Sequence, residues 1–328
     1  MKKIHILIMA FVVMATSCSN KSEIRKCSGV IWATNYNITY TSPSDLTDSI
    51  LATFVNVENS LSPFAKESLI SRINRNESQQ TDSLLQRIFL ASQEVNRLSS
   101  GAFDPSVAPL VNLWGFGYKN SAEPPTQALI DSVLAFVGIN FCRLENSLLI
   151  KHTPETEFNF SAITKGYGCD LVGEVLASKG VENYMVEIGG EIALKGLNPK
   201  GEPWHIQIDA PISGQDANQH TALKVISLTD CGIATSGNYR NYRETSSGRT
   251  WHTIDPRTGH PAQTTTLSAT VIAPTCMMAD ALATACMAMS EAEAVAMIES
   301  LDGVSAMLVK AASDSTFSVV TTSRFPKL

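Results

Sequence analysis

Apolar residues return at helical spacing between Leu46 and Leu61 (Leu46, Ile50, Leu51, Phe54, Val57, Leu61) and again between Leu84 and Leu98, which predicts two amphipathic helices. Between them, Ser62 to Asn74 reads as a turn followed by a short amphipathic piece. Helical patterns also cover Thr126–Val137, ended by Gly138, and Thr164–Ser178, stopped at Gly180. Two more, Met277–Met289 and Glu291–Leu301, lie near the C-terminus. Alternating or β-rich runs predict strands at Tyr184–Ile188, Trp204–Asp209, Leu223–Leu228, Leu267–Ala273, Val304–Val309 and Thr316–Thr321. Helices and strands mix without strict alternation, and many of the strands can pair as hairpins. The pattern therefore predicts an α+β fold of layered sheets and helices. No internal repeat appears at a period of roughly 20–50 residues. Ser213–His220 is a polar surface loop between two strands.

The N-terminus follows a different pattern. Met1-Lys-Lys precedes an apolar run, Ile4–Ala15, too short to cross a bilayer, and then Thr16-Ser-Cys18. A cysteine after small residues is what a bacterial lipoprotein signal needs. Residues 1–17 are expected to be the signal peptide, Cys18 the lipidated residue, 18–30 the anchored N-terminus and polar tether, and 31–328 the functional domain. Ala15 stands where leucine is preferred, so an ordinary secretory signal with an incidental cysteine is the alternative. The expected location is the periplasmic side of a bacterial membrane. The formal charge of −6 becomes more negative once Lys2 and Lys3 are removed, which argues against nucleic acid as a partner. Six cysteines lie beyond Cys18; Cys142, Cys169, Cys276 and Cys286 have apolar or small neighbours and read as buried free thiols. No cysteine or histidine spacing suits zinc.

Several segments carry candidate chemistry. His252-Thr-Ile-Asp-Pro-Arg-Thr-Gly259 puts an imidazole, a carboxylate and a guanidinium into a stretch with two turn signals. Asp280 and Thr284 share one face of a predicted helix, as a hard cation requires; taken alone, an Asp in a first helical turn and a back-bonding Thr explain them better. Lys165 lies near a helix N-terminus, which suggests an anionic ligand; a solvated surface lysine is the alternative. Gly101-Ala-Phe-Asp-Pro, continuing to Trp114-Gly-Phe116, reads either as an aromatic-lined pocket or as a loop packing its rings into the core. Glu187-Ile-Gly-Gly-Glu191 reads as a tight turn or as a close backbone approach to a phosphate or ring, and Ala234-Thr-Ser-Gly-Asn-Tyr239 as a polar turn whose hydroxyls either meet phosphate oxygens or serve the turn alone.

Taken in order, Gly-Ala-Phe-Asp-Pro with Leu-Trp-Gly-Phe, Ser-Ala-Ile-Thr-Lys-Gly-Tyr, Glu-Ile-Gly-Gly-Glu, Ala-Thr-Ser-Gly-Asn-Tyr, His-Thr-Ile-Asp-Pro-Arg-Thr-Gly-His-Pro and Ala-Asp-Ala-Leu-Ala-Thr-Ala resemble the ApbE family of FAD:protein FMN transferases from about Ile31 to the C-terminus. The resemblance implies an ApbE-like fold and Mg²⁺-dependent transfer of the FMN half of FAD onto a Thr or Ser hydroxyl of a target protein, with release of AMP. It implies targets among subunits of Na⁺-translocating NADH:quinone reductase and Rnf complexes. It places FAD contacts at Trp32, Phe64, Ala102, Phe103, Asp104, Asn159, Lys165 and Ile254. It places the metal at the main-chain oxygen of Ala162, at Asp280 and at Thr284, with Ala283 adjacent. Trp32 stands where Met is common, Phe64 where Tyr is, Asn159 where Asp is and Thr164 where Ala is. His252, at the head of the His-Thr-Ile-Asp-Pro segment, is the expected base, with Asp255 next. Two alternatives use the same pocket: an FAD pyrophosphatase, with water replacing the hydroxyl, and a non-catalytic flavin-binding lipoprotein. Asp280, Thr284 and His252 argue against the second.

Overall fold

The computed structural model describes residues 23–117, 124–211, 221–238, 242–245, 248–312 and 316–327, with backbone only for 242–245 and 248–250. Cys18, the expected signal peptide and the expected loop at 213–220 lie outside the described residues. In chain order the first elements are β1 (Glu23–Ile31), β2 (Thr34–Ser42), α1 (Thr47–Leu61), α2 (Leu69–Asn74), α3 (Ser83–Leu98), α4 (Ala108–Leu113), α5 (Gln127–Leu134), β3 (Arg143–Glu145), β4 (Leu148–Ile150) and α6 (Ser161–Ser178). Then follow β5 (Tyr184–Ile188), β6 (Glu191–Lys195), β7 (Trp204–Asp209), β8 (Ala222–Leu228), β9 (Gly232–Gly237), β10 (Tyr242–Thr245), β11 (Gly248–Trp251) and β12 (Thr266–Ala273). The chain closes with α7 (Cys276–Met287), α8 (Glu291–Glu299), β13 (Ser305–Ala311) and β14 (Phe317–Thr321).

The helices start where side chains can take up their free amides. Asp82 accepts from the Leu85 amide at the head of α3. Ser290 and Glu293 form a reciprocal capping box at the head of α8. At the other end of α8, Arg324 donates to the carbonyls of Ile298, Glu299 and Leu301, supplying partners for the carbonyls a helix leaves open.

An antiparallel sheet in the order β1-β2-β5-β6-β9-β12-β13-β14 forms the centre. The two-residue alternation of side chains along its strands separates two cores. Ala234, Val271 and Leu308 face a core shared with α3, α6 and α7. Their neighbours Ile233, Ile272 and Met307 face the other side, where Trp204, Ile206 and Ile226 of the β7–β8 hairpin cover them. The result is three layers: helices, sheet and hairpin, as the α+β reading expects.

One boundary moves. The stretch from Glu23 to Val30, expected to belong to the tether, forms most of β1 and pairs with β2 in continuous register from Glu23↔Ser42 to Ile31↔Thr34. Of the strand's side chains only Cys27 is buried. An edge strand that buries so little carries the polar signature of a linker. The six described cysteines are unpaired, five of them buried.

Candidate active site

A cavity of about 470 Å³ opens at one end of the sheet, a size that suits a small-molecule ligand. Its lining divides by chemistry. Val107, Val111, Phe116 and Ile254 are apolar and belong to one small cluster built around α4 and α5. Phe64 adds a ring that is 68% exposed. Asn159, Lys165, Glu191, Thr235, Ser236, Asp280 and Thr284 are polar and come from α6, β6, β9, α7 and the chain entering α6.

The polar half rests on the close crossing of α6 and α7. At Gly166 an added Cβ would lie 2.3 Å from the carbonyl oxygen of Cys276 and 2.8 Å from Cβ of Asp280, so only glycine permits this approach. The Gly166 N–H donates to Asp280 Oδ2 at 3.0 Å. In a regular helix that amide is the partner of the Ala162 carbonyl. Asp280 therefore competes for the very donor that would otherwise claim Ala162. The head of α7 is held in turn by Asp170, which accepts from the amides of Cys276 at 2.9 Å and Met277 at 2.8 Å. Burial pushes the Asp170 carboxyl up to about 6 despite those two bonds.

Asp280 is 3% exposed, and among the described residues its hydrogen bonding uses Oδ2 alone. Thr284, one helical turn on, shares a 3.2 Å hydroxyl contact with Ser236. Lys165 Nζ lies 2.6 Å from Oε2 of Glu191. Burial raises the Asp280 and Glu191 carboxyls above their ordinary range; Lys165 pulls both down without reversing the rise. Burial also works against the Lys165 ammonium, yet Glu191 and Asp280 outweigh it and its pKa rises. Lys165 is thus no solvated surface lysine. Among the described residues no three His, Cys, Asp or Glu side chains gather as a metal cluster. The donors at hand are one carboxylate, hydroxyls and a carbonyl. Such an all-oxygen set fits a hard divalent cation that completes its shell with water and substrate phosphate.

His252 follows β11 and meets Phe116 edge to face at 6.5 Å between ring centroids. The loop after it folds back on itself. Asp255 N–H donates to the His260 carbonyl at 2.8 Å, Ala262 N–H to that of Thr253 at 2.9 Å, and Gly259 N–H to that of Asp255 at 2.9 Å. Asp255, the second candidate base, is committed elsewhere. It takes Arg257 Nε at 2.9 Å on Oδ1 and Nη2 at 2.9 Å on Oδ2, while Arg257 also reaches the Ala288 carbonyl at 2.8 Å. Neither residue lines the cavity, so of the three ionisable groups in that segment only His252 does.

The cavity gathers Phe64, Asn159, Ala162, Lys165, His252, Ile254, Asp280 and Thr284. Ala102, Phe103 and Ala283 lie in the core outside its lining, and so does Asp104. Asp104 organises its own loop, accepting from Ser106 N at 2.8 Å, Ser106 Oγ at 2.6 Å and Ile139 N at 3.0 Å. Trp32 also stands outside the lining. It occupies the two-residue turn between β1 and β2 with φ of 47°, beside Ala33 at 60°, a conformation that non-glycine residues adopt only at a cost. Its indole packs on Phe54, and its buried N–H has no acceptor among the described residues. Glu191 enters the site without having been singled out as a side chain, whereas Thr235 and Ser236 bring to the cavity the hydroxyls expected of their segment. For Glu191 the signal lay in the glycines beside it, which marked backbone approach.

A family model described as the ApbE family matches residues 32–308. A Vibrio cholerae protein named FAD:protein FMN transferase is 38% identical over 315 residues, covering 93% of each chain. One of the same name from Haemophilus influenzae is 34% identical over 346 residues, covering 100% of this chain and 99% of its own. Among solved structures, the flavin transferase ApbE from Vibrio cholerae superimposes with a TM-score of 0.81 at 36% identity, covering 93% of this chain and 98% of that one. The apo flavinyl transferase ApbE of Pseudomonas stutzeri gives 0.83 at 29% identity, covering 93% and 96%.

Proposed function

The chain belongs to the ApbE family, and from that membership we propose that it transfers the FMN half of FAD onto a Thr or Ser hydroxyl of a target protein and releases AMP. The observation that carries this reading is the single cavity in which His252, Lys165, Asp280, Thr284 and Ala162 meet an apolar, ring-lined half. The apolar half accepts a planar ring system, and the polar half faces its phosphates. Mg²⁺ held by Asp280, Thr284 and the Ala162 carbonyl supplies a Lewis acid for charge developing on the pyrophosphate oxygens. Lys165 adds a fixed positive charge to the same surface. The target hydroxyl oxygen bonds to the phosphorus on the FMN side, and the bond from that phosphorus to the bridging oxygen breaks. AMP leaves with the bridging oxygen. His252, held by its folded loop, takes the hydroxyl proton.

Incubation with FAD, Mg²⁺ and a candidate target, a subunit of a Na⁺-translocating NADH:quinone reductase or Rnf complex, followed by mass spectrometry, tests the reading. An FMN-sized adduct supports transfer. Free FMN and AMP without an adduct replace it with hydrolysis, and unchanged FAD replaces it with carriage.

Cys18 is the anchor in this proposal, with the domain on the periplasmic side of a bacterial membrane. Cys18→Ser is expected to release the protein from the membrane fraction or leave it unprocessed; unchanged fractionation and processing would contradict the anchor.

A further inference from the structure

We propose that Glu191 is a positioning residue that holds the Lys165 ammonium away from Asp280 and so keeps that carboxylate open to a divalent cation. The inference rests on the reading that a cation binds at Asp280.

Lys165 and Asp280 are neighbours. Both side chains line the cavity, and the next residue in the helix, Gly166, donates its N–H to Asp280 Oδ2 at 3.0 Å. Lys165 stands near the N-terminus of α6, where the helix dipole disfavours a cation, so its charge needs a partner. An ammonium beside a buried carboxylate pairs with it, because neither charge tolerates being left alone out of water. That pairing would cover the oxygen a metal ion requires. The structure shows a different choice: Nζ lies 2.6 Å from Glu191 Oε2.

Glu191 is built to make that claim. It is the first residue of β6, directly after the Gly189–Gly190 turn, whose φ values of 63° and 101° favour glycine. A Cβ on Gly189 would meet Thr34 Oγ1 at 2.8 Å, so the turn is pressed against β2 and the entry of β6 is fixed. The Glu191 carbonyl accepts the Cys169 thiol at 3.2 Å, and Cys169 lies one helical turn beyond Lys165 on α6. Backbone and side chain of Glu191 thus grip the same helix. The Glu191 side chain is 4% exposed. The Lys165 side chain is 33% exposed at the cavity wall, so the buried carboxylate of Glu191 holds an ammonium that still faces the cavity. Burial opposes the Lys165 charge while both carboxylates sustain it, which makes the ammonium's choice between them consequential.

The test is an electron paramagnetic resonance titration with Mn²⁺, standing in for Mg²⁺, on the full chain without FAD. Four forms are compared: wild type, Glu191→Gln, Lys165→Met and the double variant. Glu191→Gln is expected to weaken Mn²⁺ binding by roughly tenfold or more in the wild-type background and by no more than about twofold when Lys165 is already Met. If Glu191 acts only through its long-range charge, the loss is equal in both backgrounds, and that result overturns the proposal. Where Glu191→Gln does not fold, Glu191→Asp carries the same cycle, since it keeps the charge and shortens the reach. Asp280→Asn separates the two levels of the argument. Wild-type Mn²⁺ binding that survives Asp280→Asn overturns the metal reading and this inference with it. Binding that Asp280→Asn abolishes, combined with an equal Glu191→Gln loss in both backgrounds, overturns the inference alone.

Discussion

Asp280 and Phe64 face the same cavity from opposite surroundings. Asp280 is 3% exposed, on a helix pinned at its head by Asp170 and pressed onto α6 at Gly166; Phe64 is 68% exposed on the turn between α1 and α2. The charged half of the site is part of the packed core. The ring that meets solvent belongs to a connecting turn. Phosphate chemistry demands groups fixed before the substrate arrives, since reorganising them during reaction adds to the barrier. Ring recognition tolerates a side chain that settles onto its ligand.

Substitutions can break that comparison, and the largest effect is expected in the core. Asp280→Ala should lower transfer on the order of 10⁴-fold, as loss of a Lewis acid worth several kcal/mol implies, while FAD binding measured by flavin fluorescence persists. Wild-type turnover of Asp280→Ala at limiting Mg²⁺ would remove the metal from this position. His252→Ala should cost roughly 10³-fold in transfer rate with FAD and Mg²⁺ affinity kept, and the acidic limb of the pH–rate profile should vanish. A variant that loses FAD binding yet retains that limb would make His252 a substrate contact.

Asp170 tests the foundation of the polar half. Its folded-state pKa of about 6 lies above the 3.8 of a free carboxyl, so its contribution to stability is full below the lower value and is lost as pH rises through the upper one. Asp170→Asn lacks that dependence. Thermal melts should therefore show the variant gaining on wild type by about 1 kcal/mol between about pH 5 and about pH 8; a constant difference would mean that Asp170 is not buried in its charged form. The smallest effect is expected at Phe64→Ala. The Michaelis constant for FAD should rise by a few fold, with stability within about 0.5 kcal/mol of wild type, as for an exposed residue. An effect on the rate constant as large as that of His252→Ala would show that the turn is as fixed as the core.

Legibility followed burial. β5 and β7 match their predicted bounds to the residue; in β7 the alternation is plain, with Trp204, Ile206 and Ile208 buried and His205 and Gln207 exposed. β9 read as a turn, since Thr235, Ser236 and Gly237 turn polar atoms toward the cavity rather than apolar ones into a core. β1 read as tether for the opposite reason, having almost nothing to bury. Within the site, Asp280 and Thr284 were visible because helical spacing puts both on one face. The Lys165–Glu191 pair was not, because 26 residues separate its members and only the meeting of α6 with β6 joins them. The Ala102-Phe-Asp104 segment, placed at FAD by the resemblance, lies outside the cavity lining. There Asp104 accepts from Ser106 two residues on and from the Ile139 amide of a distant segment, tying the two together.

The register of β1 has a mechanical consequence. Its last residue enters the Trp32–Ala33 turn, and Asn35, just beyond, accepts the N–H of Gly189 at the cavity's edge at 2.9 Å. Its first residue, Glu23, pairs with Ser42 at the far end of the sheet. Nine residues of extended strand put ~30 Å between the two. The chain therefore enters the domain at the end of β1 farthest from the cavity. Pulling on the chain ahead of Glu23 would thus load β1 along its length and reach the cavity's rim only through the β1–β2 pairing.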